Sequence, residues 1–103
     1  MTGAANRARG EAILSTKNAA FMLRPSFAAL VAAEEELGPL FEMVERAASG
    51  SLKLSEIVAL FWHCLAAQEA ISRDDFSDAV AEAGLAATTP ALKILLGQIL
   101  GGR

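Results

Sequence analysis

The chain has 103 residues, a length that accommodates one core of normal size, so we expect residues 1–103 to form a single domain. Hydrophobic residues make up 53% of the chain and charged residues 20%, which excludes a disordered tail. The net charge of −3 argues against nucleic acid as the main partner, because a duplex-binding protein needs a basic face. Charged residues interrupt every apolar stretch before the ~20 residues of a membrane span, so no membrane partner is expected.

The first 24 residues differ in charge from the rest of the chain. They hold four basic residues and one acidic residue, whereas residues 25–103 hold five basic and eleven acidic. Residues 1–9 include Arg7 and Arg9 but no interleaved aromatic residue, so we do not expect them to bind nucleic acid. They also lack an apolar stretch of signal-peptide length, so we do not expect an export signal. A flexible terminus is the expectation that remains. The single cysteine cannot form an internal disulfide, which fits a cytoplasmic location.

Residues 10–24 predict a β-hairpin. Two apolar segments, 10–15 and 19–24, flank a short polar turn in which Asn18 tolerates the left-handed conformation. Pro25 ends the second strand, because the residue before a proline is disfavoured in the helical region. Two strands alone are marginally stable, so the hairpin is expected to lie against helices.

The remainder of the domain, residues 26–100, predicts helices. Apolar residues at helical spacing, with Gly and Pro as stop signals, predict five of them, over residues 26–37, 40–48, 56–68, 72–84 and 90–100. Ser55 is the expected N-cap of the third helix, and Pro90 the first residue of the fifth. The predicted fold class is α+β, predominantly helical, with the N-terminal hairpin packed on about five short helices.

The predicted core is centred on the third helix. Its apolar residues cover most of the helix circumference, a pattern typical of a helix surrounded by other elements. Phe27, Phe41, Phe61 and Phe76 lie on the predicted inward stripes of four different helices, so we expect them to meet in one core.

His63 and Cys64 suggest a catalytic pair, because a histidine can activate a neighbouring thiol. Adjacent residues on a helix point about 100° apart, however, so these two side chains do not face each other. Cys64 shares its stripe with Phe61 and is expected to be a buried, inert thiol. His63 lies on the opposite face, without cysteines or carboxylates at metal-ligand spacing, and is expected at the surface.

Two acidic runs are candidates for a metal site or for acid-base chemistry. Residues 34–36 are three glutamates, but consecutive helical positions fan around roughly 200° and cannot converge on one ion. Residues 74–78 lack the glycine and the final glutamate of a calcium loop, and capping of a helix start explains them better. No phosphate-binding or nucleophile motif is present, so we predict no catalytic, cofactor or metal residues and no enzymatic activity.

Several segments along the chain together resemble a known family. They are residues 6–11 (Asn-Arg-Ala-Arg-Gly-Glu), residues 23–30 (Leu-Arg-Pro-Ser-Phe-Ala-Ala-Leu), the Glu-rich helix ending in Leu37-Gly38, residues 50–57 (Gly-Ser-Leu-Lys-Leu-Ser-Glu-Ile) and residues 82–85 (Glu-Ala-Gly-Leu). Their order and spacing resemble the gene-transfer-agent tail protein family, which is named after the tenth product of the gene-transfer-agent cluster of alphaproteobacteria. The resemblance covers nearly the whole chain and supplies no catalytic residues.

The resemblance implies a phage tail tube or tail-assembly-chaperone type of component in a gene transfer agent or prophage. Such a protein acts by binding other tail proteins or by self-association, in the cytoplasm or within a phage-like particle, without a cofactor or a small-molecule substrate. Composition and periodicity alone also fit a small helical regulatory or adaptor domain of the host.

The predicted partner surface lies mainly on the last helix. Several leucines and Ile99 form one apolar stripe along this helix, and Ile94 lies on a different face. Apolar residues on more than one face of a terminal helix favour contact with another subunit. Trp62 is either a core residue or an interface anchor. The candidate interface residues are Leu92, Ile94, Leu95, Ile99 and Trp62.

Overall fold

The chain begins with two short antiparallel strands. In the computed structural model, which describes residues 10–101, β1 (Ala12–Ser15) pairs with β2 (Ala20–Leu23). The turn is closed by a hydrogen bond of 2.8 Å from the Thr16 N–H to the Ala19 carbonyl. The hairpin predicted for residues 10–24 is therefore confirmed, whereas the flexibility expected for residues 1–9 lies outside the described residues.

Up to residue 101, where the described part of the chain ends, five α-helices follow the hairpin and confirm the α+β, predominantly helical class. They are α1 (Phe27–Leu37), α2 (Leu40–Ala48), α3 (Leu54–Cys64), α4 (Arg73–Ala83) and α5 (Leu85–Gly101), with one short 3₁₀ turn at Gln68–Ala70. The hairpin packs with β1 against α5, and α1 packs against α3. Gly38 and Gly84, with φ of +84° and +88°, follow the ends of α1 and α4 at the stop positions expected from the sequence.

The third helix starts earlier and ends earlier than predicted. It begins at Leu54, because the Glu56 carboxylate accepts a hydrogen bond of 3.0 Å from the Lys53 N–H, so Lys53 and not Ser55 is the N-cap. It ends at Cys64, whose carbonyl accepts the Arg24 N–H at 2.6 Å. The next residues form a bridge to the outer edge of β2, which takes them out of the helix.

The last helix starts five residues before its predicted first residue. Pro90 lies inside α5, and because proline has no N–H, the carbonyl of Ala86 lacks its usual helical donor. In the same turn the hydroxyls of Thr88 and Thr89 both donate to the Leu85 carbonyl, at 2.7 and 3.2 Å. The Thr-Thr-Pro sequence therefore lies within a helix and does not begin one.

The core contains two of the four phenylalanines predicted for it. Phe61 on α3 and Phe76 on α4 are fully buried, and Phe21 of β2 meets Phe76 edge to face at 5.1 Å between ring centroids. The prediction was wrong for Phe27 and Phe41, which are 85% and 63% exposed. At the start of α2 the buried positions are Leu40 and Met43, three residues apart, so Phe41 points about 100° away from the core.

Candidate partner interface

An open apolar groove lies between the starts of α1 and α2 and the C-terminal part of α5. It has a volume of about 460 Å³, and Phe27, Val31 and Phe41 line it together with Leu40 and Ile99. Phe27 and Phe41 are 85% and 63% exposed, more than the other large hydrophobic residues among residues 10–101, and large exposed aromatic side chains on adjacent helices are characteristic of an interaction surface. We call the surface made by Phe27, Val31 and Phe41 around this groove the phenylalanine face.

Local sequence at the start of α1 places Phe27 on this face. The Ser26 hydroxyl accepts a hydrogen bond of 3.2 Å from the Ala29 N–H, which makes Ser26 the N-cap and Phe27 the first helical residue. Pro25 before it is buried. Phe27 therefore projects from the first turn of α1, whereas the inward face of that helix is carried by the fully buried Ala33.

The start of α2 is tied to α1 by a side chain. The Leu40 N–H has no partner within its helix and donates to Oε2 of Glu34 at 3.0 Å. This bond holds the first turn of α2 beside the last turn of α1, with Leu40 buried and Phe41 next to it in the groove. The two phenylalanines are thus positioned by capping interactions in which their own side chains take no part.

The helices that carry the phenylalanine face are acidic. Two of their charged groups have partners elsewhere: Arg46 binds Glu56 of α3 at 2.6 Å, and Glu36 binds side chains of α3 and α4. Four other carboxylates form no ion pair among residues 10–101. These are Glu34, Glu35, Glu42 and Glu45. The two helices therefore bear a net negative charge, and Glu34 is the one of these four carboxylates that lines the groove.

The predicted interface residues on α5 are only partly at the surface. Leu95 is fully buried in the core of its own chain, which corrects its assignment to a partner surface. Leu92, Ile94 and Ile99 are half-buried and pack against the core, and of these Ile99 lines the groove. The stripe docks on its own domain because the hairpin and α4 pack against α5. A partner contact at Leu92, Ile94 or Ile99 stays a prediction.

Trp62, which the sequence left open as a core residue or an interface anchor, packs partly on the core, and an anchoring role stays a prediction. Its ring is half-buried and lies 6.0 Å from the ring of Phe76, tilted by 50°, so part of it belongs to the core. It does not line the groove beside Phe27 and Phe41. Hydrophobic periodicity does not identify Phe27 and Phe41 as surface residues. The signal present in the sequence is that Phe27 directly follows a serine able to cap the helix, which makes it the first helical residue.

His63 and Cys64 point in different directions, as the helical geometry predicts. Cys64 is buried, and desolvation raises the pKa of its thiol to about 12, so it stays protonated and unreactive. His63 is half-buried rather than exposed, and its Nε2 lies 2.7 Å from Glu36 Oε1. The contact between His63 and Glu36 links α3 to α1, and His63 and Cys64 do not form a thiolate-imidazole pair.

The remaining polar side chains of the described part of the chain do not form a metal site. Among residues 10–101 no group of three or more His, Cys, Asp or Glu side chains is arranged to hold a metal ion. No single helix in that range has both the length and the apolar character needed to cross a membrane. The pair α4 and α5 meets those two requirements only when joined, and it is bent by 112°.

The fold and surface define a small, helix-rich α+β protein that carries an exposed apolar face accompanied by carboxylates. The chain belongs to the family described as phage tail tube protein, GTA-gp10, which its sequence matches over residues 9–102. The resemblance drawn from the sequence is thereby confirmed, and the protein is a component of a phage-like tail. Comparisons with curated proteins and with solved structures find no match.

Proposed function

We propose that this protein is a non-enzymatic tail component of a gene transfer agent or prophage, and that it acts by binding other tail proteins through the phenylalanine face. The observation that carries the proposal is the exposure of Phe27 and Phe41, 85% and 63%, on two sides of one groove. Aromatic side chains that surround a groove are typical anchors of protein interfaces. Family membership supports a tail protein as the partner.

The rest of the proposal concerns the setting in which binding occurs. The whole chain acts as one domain, folds in the cytoplasm and is incorporated there into a phage-like particle. Its partners are proteins, and it uses neither a cofactor nor a small-molecule substrate. An assembly chaperone would use the same face but leave before the particle is complete, and detection of the protein in purified particles distinguishes the two roles.

Co-expression with the proteins encoded by the adjacent genes, tail proteins first among them, tests the proposal. A charge placed in the groove, Phe41→Glu, is expected to abolish co-purification of a neighbouring tail protein and incorporation into particles. Leu85→Glu is the matched control, because Leu85 is 55% exposed on α5 and does not line the groove. Binding that survives Phe41→Glu, or that both variants abolish equally, contradicts the proposed face.

A further inference from the structure

The outer edge of β2 is paired over only part of its length. The Arg24 N–H donates to the Cys64 carbonyl at 2.6 Å, and the Ala66 N–H donates to the Met22 carbonyl at 3.0 Å. Because the backbone groups of alternate strand residues point to the same side, the N–H and carbonyl of Ala20 also point away from β1. Within residues 10–101, these two groups and the Met22 N–H have no hydrogen-bond partner. We call this unpaired stretch, Ala20–Met22, the open β2 edge.

The chain turns away from this edge directly after Ala66. The residues that follow form the 3₁₀ turn Gln68–Ala70, and the Gln68 side chain donates to the Trp62 carbonyl at 2.7 Å. This bond ties the turn to the last part of α3 and not to β2. The space between the open β2 edge and the turn is therefore a built feature of the fold.

An uncharged cavity of about 370 Å³ lies in that space. All nine of its lining residues are apolar, and they come from the hairpin and from residues 65–71. Five of them are alanines, and the half-buried Phe21 and Ile71 are among the larger ones. The cavity shares no lining residue with the groove of the phenylalanine face. An apolar surface therefore lies directly beside unpaired backbone groups.

This combination favours a peptide in an extended conformation as the ligand. Free N–H and C=O groups at a sheet edge pair with an added strand, whereas a helix uses its backbone groups internally. A charged side chain in the cavity would lose its hydration without gaining a partner, so the side chain that enters is apolar. Ala66 occupies one end of the edge and the hairpin turn closes the other, which limits the added strand to about three paired residues.

We propose that the open β2 edge binds an extended, uncharged segment of another polypeptide, whose backbone pairs with Ala20 and Met22 and whose apolar side chain enters the cavity. This interaction goes beyond the proposed function, because it uses a separate surface and a different type of ligand. A second copy of this chain is not the expected occupant. In residues 10–101 the sheet has only two strands, and β1 is already packed between β2 and α5.

Peptide binding tests the proposal directly. The probes are fluorescent peptides of about twelve residues that tile the proteins encoded by the adjacent genes, and fluorescence anisotropy measures their affinity. At least one uncharged peptide with alternating apolar residues is expected to bind the wild type. In the complex, the N–H groups of Ala20 and Met22 are expected to exchange with solvent about tenfold more slowly or less, as measured by nuclear magnetic resonance.

Ala20→Pro tests the backbone part of the contact. Proline removes an N–H that points away from β1, so the hydrogen bonds within the hairpin are kept. The affinity for the bound peptide is expected to fall about fivefold or more. Ala20→Ser is the matched control, because it keeps the N–H and nearly the same size, and it is expected to bind as the wild type does.

Ala70→Phe tests the cavity. Ala70 is exposed and lines the cavity, so a phenyl ring there fills the space without entering the buried core, and peptide affinity is expected to fall about tenfold or more. Ala86→Phe is the matched control, because Ala86 is also exposed but does not line the cavity. Circular dichroism melts identify any variant that fails to fold. If Ala20→Pro does, Ala70→Phe and the amide exchange decide.

Each of three results overturns the proposal: no peptide binds the wild type, Ala70→Phe leaves the binding unchanged, or the Ala20 and Met22 N–H groups exchange equally fast in the complex. Self-association of the wild type that Ala20→Pro abolishes also overturns it, because a second copy is then the occupant. Phe41→Glu alters the other surface and is expected to leave peptide binding intact. If it abolishes binding of a neighbouring tail protein while no peptide binds the open β2 edge, the edge inference is wrong and the proposed function stands.

Discussion

The Nε2 atom of His63 on α3 lies 2.7 Å from Oε1 of Glu36 on α1, and the other oxygen of the same carboxylate lies 2.6 Å from Nη2 of Arg73 on α4. One side chain therefore links three helices that are far apart in the sequence. The hydrogen bond from Arg73, followed by that from His63, lowers the pKa of Glu36. The link depends on the carboxyl group being ionised.

Glu36→Gln is expected to lower the free energy of unfolding by about 0.5–1 kcal/mol at pH 7, because the pair is partly solvent-exposed. A carboxyl group whose pKa is lowered by folding stabilises the protein above its unfolded pKa, and this contribution is lost as the pH falls through the lowered value. Urea titrations of both proteins should therefore differ at pH 7 and converge toward pH 3. A difference that persists at low pH contradicts the electrostatic origin.

Phe61→Ala and Phe41→Ala form a matched pair that tests the division between core and surface. Phe61 is fully buried, and truncation of a large buried aromatic residue costs about 3–5 kcal/mol, a large part of the stability of a small domain. Phe41 is 63% exposed, so its truncation is expected to change the free energy of unfolding by less than about 1 kcal/mol. Urea denaturation measures both, and similar losses would show that Phe41 is packed in the core.

The Cys64 thiol is expected to react slowly in the folded protein. Burial removes access, and the pKa of about 12 leaves almost no thiolate at pH 8. Labelling with a thiol reagent should therefore be limited by opening of the structure and become rapid in denaturant. Rapid labelling without denaturant, at a rate equal to that of an exposed thiol, would contradict the burial.

The proline and glycine residues that end strands and helices by their own backbone conformation were predictable from the sequence. Pro25 ends the hairpin, and Gly38 and Gly84 end two helices with the positive φ that glycine tolerates. Such signals require only a few neighbouring residues. The hairpin, the number of helices and most of their ends therefore agree with the sequence analysis.

Features that depend on distant contacts were not predictable in this way. The end of α3 is set by pairing of Leu65 with Leu23, more than forty residues away in the chain. Phe41 is exposed because α2 turns Leu40 and Met43 toward the core. The spacing of apolar residues along α2 is equally compatible with a rotation of the helix that would bury Phe41 instead. The phenylalanine face was missed for this reason, because hydrophobic periodicity identifies an apolar face without showing what covers it.

Gly10 occupies a position that an alanine cannot adopt without strain, for two separable reasons. Its φ is +74°, and a Cβ atom built there would lie 2.6 Å from the side chain of Gln98 on α5. Gly50 is the matched control, because its φ is +79° but nothing lies within 4 Å of the corresponding Cβ position. Both alanine variants are expected to lose about 1 kcal/mol through backbone strain.

Gly10→Ala is expected to lose more stability than Gly50→Ala, because the clash with Gln98 adds to the backbone strain. Combining it with Gln98→Gly should remove the clash, because the Cβ of Gln98 is itself 2.7 Å from the Cβ built at Gly10, and should bring the total loss, measured against Gln98→Gly alone, close to that of Gly50→Ala. A double-mutant cycle by urea denaturation gives this coupling directly. If the coupling is zero, Gly10 does not approach α5 as the structure shows, and the packing of the hairpin start against the last helix is wrong.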